Sequence, residues 1–138
     1  MWPRVNGLRA MELGTPDGMR AELNALVLAG RKTTTTGLLA DYAKESEHLE
    51  HPGERLALLD DHGRPVAVIE ITGIEVLPFD AVTWEHAHAE GEGFTSLDDW
   101  RAGHRRYWHA LGTTAEDRTP VVCLAFRLVR EAPDGGDG

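Results

Sequence analysis

The sequence predicts an α+β protein: a small mixed or antiparallel sheet closing into a β-barrel, flanked by about three helices. Three observations carry this. Strand-like and helix-like segments interleave unevenly, unlike the regular alternation of a doubly wound parallel sheet. Residues 55–77 hold two apolar runs joined by Asp61-His62-Gly63, a turn too short for anything but antiparallel pairing. Gly73 interrupts the longer of those runs, where a barrel strand needs a bulge or bend.

The elements follow in order. Leu8–Leu13 reads as a short strand. Thr15-Pro16 has the form of a helix cap followed by proline at the first helical position. The helix then runs to about Ala29, with Met19, Leu23, Leu26 and Val27 on one apolar stripe. Gly30 is its stop, because glycine enters the left-handed region without penalty. Thr33–Leu38 is strand-like by β-propensity. Residues 39–53 are polar and mixed and read as loop with a helical turn. Arg55–Leu59 and Pro65–Leu77 are the hairpin strands. Pro78 ends the second, and Asp80 caps a short helix over residues 81–89. Ser96 with Asp99 forms a capping box for a helix from Leu97 to about Leu111. Leu97, Trp100, His104, Tyr107, Trp108 and Leu111 share its broad face, and Gly112 ends it. Val121–Val129 is a nearly continuous apolar strand, expected at the sheet centre.

The chain of 138 residues fits one domain, expected over residues 8–131, with the Gly/Asp-rich segment 132–138 expected to be a disordered tail. No apolar run approaches the roughly 20 residues of a membrane span, and the N-terminus has no apolar signal core. No membrane partner and a cytoplasmic location are therefore expected. Cys123 is the single cysteine, so no internal disulfide forms, and its apolar surroundings predict an inert core residue. The net charge is −9, with 23 acidic against 14 basic residues. Non-specific nucleic-acid binding needs a basic surface that releases counter-ions, so no long duplex is expected as a partner. A nucleoside or a short single-stranded RNA segment fits better. The residues carry no signal of oligomeric state.

Residues 30–37, Gly-Arg-Lys-Thr-Thr-Thr-Thr-Gly, hold the strongest chemical signal. Only Lys32 and Lys44 are lysines among the 14 basic residues, and Lys32 stands beside a row of hydroxyls. Lysine is a compact charge whose protonation responds to its surroundings, as arginine's does not. A phosphate-binding P-loop is excluded, because here the helix precedes the motif and the strand follows it. Lys32 and Thr35 lie three apart and would point to opposite faces of a strict strand. They converge only where the backbone is still turning, so a functional pair predicts a strand beginning no earlier than about Thr34. In a wet site Lys32 anchors an anion or carbonyl. In a dry site it takes the proton of a nucleophilic Thr35. The bland alternative is a cation that complements the helix C-terminus.

Three further groups qualify. His86-Ala87-His88-Ala89-Glu90-Gly91-Glu92-Gly93 puts two carboxylates on glycine-rich backbone, where Glu90 or Glu92 serves as acid or base. His86 and His88 diverge by about 200° on a helix and offer no third ligand, so no metal is expected. The Trp100–Trp108 segment is the one basic cluster with interleaved aromatics; Arg101, Arg105 and Trp108 are candidate contacts for single-stranded bases, ribose or phosphate. Its other reading is a helix with acids early, bases late and aromatics packed on the sheet. Glu70, an acid in an apolar strand, either orients Lys32 or Arg31 or faces solvent at a sheet edge.

In this order and spacing the segments resemble the ASCH domain, a member of the PUA-like fold. The likeness rests on Gly-x-Lys-x-x-Thr at Gly30, Lys32 and Thr35. It continues through the strand Gly63-Arg64-Pro65-Val66-Ala67-Val68-Ile69-Glu70-Ile71-Thr72 and Val76-Leu77-Pro78-Phe79-Asp80. Ala89-Glu90-Gly91-Glu92-Gly93, Leu97-x-x-Trp100-Arg101 and His104-x-x-Tyr107-Trp108 complete it. The resemblance implies a small barrel with a helix-lined cleft and a role in RNA metabolism. One small bacterial branch hydrolyses the acetyl amide of N4-acetylcytidine with a Lys-x-x-Thr pair and a downstream glutamate. Lys32 and Thr35 match the pair, and Glu90 matches the acid through His-Ala-x-x-Glu at 86–90. This chain is longer than that branch, adds residues 41–53, and carries Glu92 as a second acid; it is more similar to a longer bacterial subgroup. The implied enzyme uses Thr35 as nucleophile, Lys32 as base or oxyanion anchor and Glu90 as acid. Arg31, Glu70, Glu92, Arg101, Arg105 and Trp108 contact substrate, and no metal or organic cofactor takes part. The alternatives are a non-catalytic RNA-binding module and a ribonuclease at the same cleft.

Overall fold

The protein is described by a computed structural model covering residues 1–131. The expected tail, residues 132–138, lies outside the described residues. Six strands form one mixed sheet: β1 (Arg4–Val5), β2 (Leu8–Met11), β3 (Thr34–Leu38), β4 (Arg55–Leu59), β5 (Pro65–Pro78) and β6 (Pro120–Glu131). Four helices flank it: α1 (Met19–Leu28), α2 (Leu39–Lys44), α3 (Trp84–Ala89) and α4 (Leu97–Ala110). The sheet order is β1-β2-β4-β5-β6-β3, so among the described residues the ladder ends on β1 and β3 without joining them. The α+β class holds, and the barrel has an open seam.

Local chemistry accounts for most boundaries. Asn6 and Gly7 both have positive φ, 53° and 80°, and this Asn-Gly pair turns β1 into β2. Thr15-Pro16 does not cap the helix as expected. Its place is taken by a turn ending at Gly18, with φ 103°, and α1 begins at Met19. Thr15 Oγ1 donates to Asp17 instead. At the other end Gly30 has φ 76°; its N–H bonds to the Val27 carbonyl, and the Arg31 N–H bonds to Leu26. That is the paired-bond glycine stop expected from sequence. β3 starts at Thr34, where a converging Lys32–Thr35 pair requires it. Asp80 lies in a 3-10 turn, Phe79–Ala81, and α3 is capped by Thr83 Oγ1, which accepts from the His86 N–H. Ser96 caps α4 as expected.

β4 and β5 pair antiparallel, and β5 shifts register between Ile71 and Gly73, at the expected bulge. β6 lies inside the sheet between β5 and β3. β2 runs parallel to β4, which requires the long crossover through α1, β3 and α2. Because alternate residues face opposite sides, the sheet has two cores. Leu124, Val122 and Phe126 join Leu23, Val27, Leu56, Leu58 and Ile69 on one face. Val121 and Cys123 join Phe79, Val82, Trp100 and Trp108 on the other. Cys123 is buried there, and burial pushes its thiol up to about 12, in keeping with an inert residue.

Two glycines differ in how much the fold depends on them. A Cβ at Gly30 meets open space, so Gly30→Ala incurs only the left-handed backbone cost of about 1–2 kcal/mol. A Cβ at Gly91, φ 70°, falls 2.1 Å from the Arg31 carbonyl oxygen. Gly91→Ala is therefore expected to lose clearly more stability than Gly30→Ala in urea unfolding. Equal losses would refute the close backbone contact between residues 31 and 91.

Candidate functional site

The carbonyls at the C-terminal end of α3 are satisfied by the start of β3. The Thr33 N–H bonds to the Ala89 carbonyl at 2.9 Å, and Thr34 Oγ1 donates to the His86 carbonyl at 2.9 Å. This zipper sets the Glu90–Gly91–Glu92 turn against the Arg31–Lys32 backbone, where only glycine fits at position 91. Lys32 is 2 % exposed, and its Nζ donates to Glu92 Oε2 at 2.7 Å. The site is thus dry but not uncompensated: the ammonium is ion-paired rather than free to act as a lone base.

Glu90 lies deeper, at 1 % exposure. Its Oε2 accepts from Thr36 Oγ1 at 2.7 Å, and Thr36 Oγ1 also meets His86 Nε2 at 2.8 Å. Its Oε1 has His104 Nε2 3.2 Å away, off the line of a good hydrogen bond. His104 Nδ1 faces the Trp100 carbonyl at 3.0 Å, and a carbonyl only accepts, so Nδ1 carries a hydrogen. Burial pushes the Glu90 carboxyl up, but His104, His86 and the Lys32 charge outweigh it and hold the group well below the usual carboxylate range. An ionised, enclosed Glu90 suits electrostatic support. Glu92, whose side chain keeps 18 % of its exposure, suits proton exchange.

These groups line one cleft of about 520 Å³, within the range of roughly 300–1,000 Å³ typical for small-molecule sites. Its walls come from both sides of the open seam, with Ala10 and Met11 of β2 opposite Thr35–Gly37 of β3. Lys32, Thr35, Glu90, Glu92 and Trp108 all contribute. Thr35 registers with Leu124 and Thr36 with Cys123, so neighbouring hydroxyls serve opposite faces of β3. The Thr36 hydroxyl is committed to Glu90 and His86, whereas the Thr35 hydroxyl makes no hydrogen bond among the described residues. Trp108 is 4 % exposed and packs edge-on against Phe79 as well as bordering the cleft.

Other candidates are placed elsewhere. Glu70 lies between Arg55 and Arg127 on the sheet surface, each at 3.2–3.3 Å, and orients neither Lys32 nor Arg31. Strand alternation accounts for this, since Ile69 and Ile71 take the core positions. Arg31 is exposed and does not line the cleft. Arg101 is held by the Asp80 carbonyl at 3.0 Å, and Arg105 by Asp117 and the Phe79 ring. Both arginines brace α4 against the turn after β5. No group of three or more metal-ligating side chains occurs among the described residues. Sequence reasoning missed Thr36, His86 and His104. The i, i+4 spacing of His86 and Glu90, which stacks them on one helix face, was the available signal.

An ASCH domain family model matches residues 9–130. The chain belongs to the ASCH domain family. The family is linked to RNA binding. A crystal structure of an Enterococcus faecalis V583 protein superposes with a TM-score of 0.77 at 30% identity, covering 87% of this chain and 75% of that one. An ASCH domain from Lactobacillus crispatus gives 0.75 at 26% identity, covering 88% and 79%. An ASCH protein from Zymomonas mobilis gives 0.51 at 14% identity, covering 83% and 70%, a likeness of fold. A comparison with curated proteins gave no match. No described helix of this ASCH domain is long and apolar enough to cross a membrane.

The Glu90 cluster has a pH signature. A carboxyl held low in the folded state stabilises the fold above its ordinary value of 4.5, and that stabilisation is lost as pH falls below it. Glu90→Gln removes the buried carboxylate that the Thr36 hydroxyl and the two imidazoles face and is expected to cost roughly 1–3 kcal/mol at neutral pH. The gap to the unaltered protein should narrow steadily below about pH 4.5 in thermal melts taken across the acid range. A gap independent of pH would show that Glu90 is not the ionised centre of the cluster.

Proposed function

We propose that this ASCH domain binds a modified nucleoside in the seam cleft and hydrolyses its N-acyl amide. The observation that carries the reading is the buried Lys32–Glu92 ion pair on the wall of a cleft that Thr35 also lines. Thr35 Oγ attacks the acyl carbon while its proton passes to Glu92. Lys32 Nζ donates to the developing oxyanion, the kind of fixed donor that accelerates acyl transfer most. The C–N bond breaks, Glu92 returns the proton to the leaving exocyclic amine, and a Thr35 ester remains. Water, deprotonated by Glu92, then releases the carboxylic acid and restores the hydroxyl. Glu90, assigned the acid role by its sequence match, instead keeps the charge balance behind Lys32.

The charge of the cleft favours a nucleoside over an RNA strand. Six carboxylates line it (Glu12, Asp41, Glu45, Glu50, Glu90 and Glu92), against the ammonium groups of Lys32 and Lys44. A phosphodiester backbone would enter a field of its own sign. The arginines that would serve an RNA contact are engaged with Asp80, Asp98 and Asp117 at the surface.

The test is incubation with N4-acetylcytidine and, separately, with short RNA, with products followed by mass. Cytidine and acetate are expected. Lys32→Ala should reduce turnover by about 10²–10³-fold, the usual loss for one oxyanion donor. Thr35→Ala should abolish it, while both variants keep the circular-dichroism spectrum of the parent. Full turnover by Thr35→Ala would remove Thr35 as nucleophile. RNA fragments without deacetylation would replace this reading with a ribonuclease, and salt-sensitive RNA binding without turnover would replace it with a binding module.

A further inference from the structure

Glu50 is a buried carboxylate that the chemistry proposed above does not use. It is 6 % exposed, and its Oε1 accepts the Tyr42 hydroxyl at 2.7 Å. Among the described residues it forms no ion pair. The nearby Arg9 is turned to Glu54, at 2.8 Å, and to Glu47, at 3.5 Å. A buried acid without a counter-ion costs stability and is ordinarily replaced or paired. Glu50 nevertheless lines the same cleft as Lys32 and Thr35. It sits with Trp2 and Tyr42, whose rings meet edge to face at 4.8 Å.

The two ends of the cleft are separated by β3. Lys32 precedes this strand and α2, which carries Tyr42, follows it, and the side chains of both border the same cleft. A ligand with its amide at the Lys32 end has the Tyr42–Glu50 end of that cleft for its remaining part. An ionised carboxylate offers about four lone-pair sites, and Tyr42 uses one. Glu50 can therefore accept two adjacent hydroxyls, as acidic residues do for ribose in dinucleotide sites. At the same end Glu45 is paired with the N-terminal ammonium at 2.7 Å, leaving Asp41 and Glu50 against Lys44, a negative balance that opposes a phosphate there.

We propose that the Tyr42–Glu50 pair is the sugar subsite of the cleft, selecting an unphosphorylated ribonucleoside by accepting its 2′- and 3′-hydroxyls. This rests on the nucleoside reading given above and adds the part of the substrate that the reacting groups do not see. Burial pushes the Glu50 carboxyl up, so its ionised form opposes folding as pH rises above its ordinary value of 4.5. A residue kept for binding should thus be one whose removal does not harm the fold.

Calorimetric titration with cytidine, 2′-deoxycytidine and cytidine 5′-monophosphate tests this without turnover. The unaltered protein should bind cytidine roughly tenfold or more tightly than the deoxynucleoside, the loss expected for a hydrogen bond to a charged group. It should bind the monophosphate more weakly than cytidine. Glu50→Gln should bring the cytidine-to-deoxycytidine ratio close to one, and Tyr42→Phe should lower it less. Melting of Glu50→Gln should be unchanged or higher than the parent's, with the gain larger at pH 7 than near pH 4.5. An unchanged ratio in Glu50→Gln overturns the subsite and leaves the nucleoside reading standing. A Glu50→Gln protein that melts lower with its ratio intact makes Glu50 structural, which also overturns the subsite. Failure of the unaltered protein to bind either nucleoside or the nucleotide overturns both.

Discussion

A buried ammonium must have a counter-charge, and in this protein that requirement organises the whole site. Lys32 has almost no exposure, and Glu92, sixty residues later, answers it at 2.7 Å. For the two to meet, the chain must return to the start of β3 after building the hairpin and α3. The return is held by the Thr33 and Thr34 bonds to the end of α3 and by a glycine packed on the Arg31 carbonyl. These contacts fix the turn at residues 90–92, and the charge pair fills the position they create. Glu90 adds a second layer behind the first, where two imidazoles and a threonine hydroxyl surround one carboxylate.

The sheet supplies the space. Its ladder stops at β3 on one side and β1 on the other, and the cleft occupies the side where β2 and β3 face each other without pairing. An unpaired sheet edge is normally a hazard that a protein covers or charges. Here α2, α4 and a set of carboxylates border it instead, leaving a recess rather than a template for another strand. Neighbouring threonines of β3 divide their work across it. Thr36 is locked into the buried network, and Thr35 keeps its hydroxyl free.

The charge of the recess argues for a small, uncharged guest. Composition already indicated an acidic protein, and the cleft is more one-sided than the chain as a whole. The arginines of α4 look from sequence like a basic binding face. In three dimensions Arg101 reaches the Asp80 carbonyl in the turn after β5, and Arg105 reaches Asp117 in the loop before β6 and the Phe79 ring. Spacing along a helix does not say whether such a side chain meets a ligand or a neighbouring loop.

Much of the fold was legible because it is decided locally. The glycine stop after α1, the antiparallel hairpin, the bulge at Gly73, the serine cap of α4 and the start of β3 at Thr34 all follow from backbone preference and period. The helix starts at Thr15 and Asp80 were misread because a nearby turn and Thr83 competed for the same caps. By itself the sequence determined the α+β class, the motif around Lys32 and the acidic balance, since each depends on residue type and near neighbours. Only the tertiary structure decided that Glu92 rather than Glu70 faces Lys32, that Glu90 is enclosed by His86 and His104, and that Tyr42 and Glu50 reach the same cleft. Apart from the i, i+4 step from His86 to Glu90, those are contacts across 8 to 60 positions of chain, set by how the elements pack and where the sheet stays open.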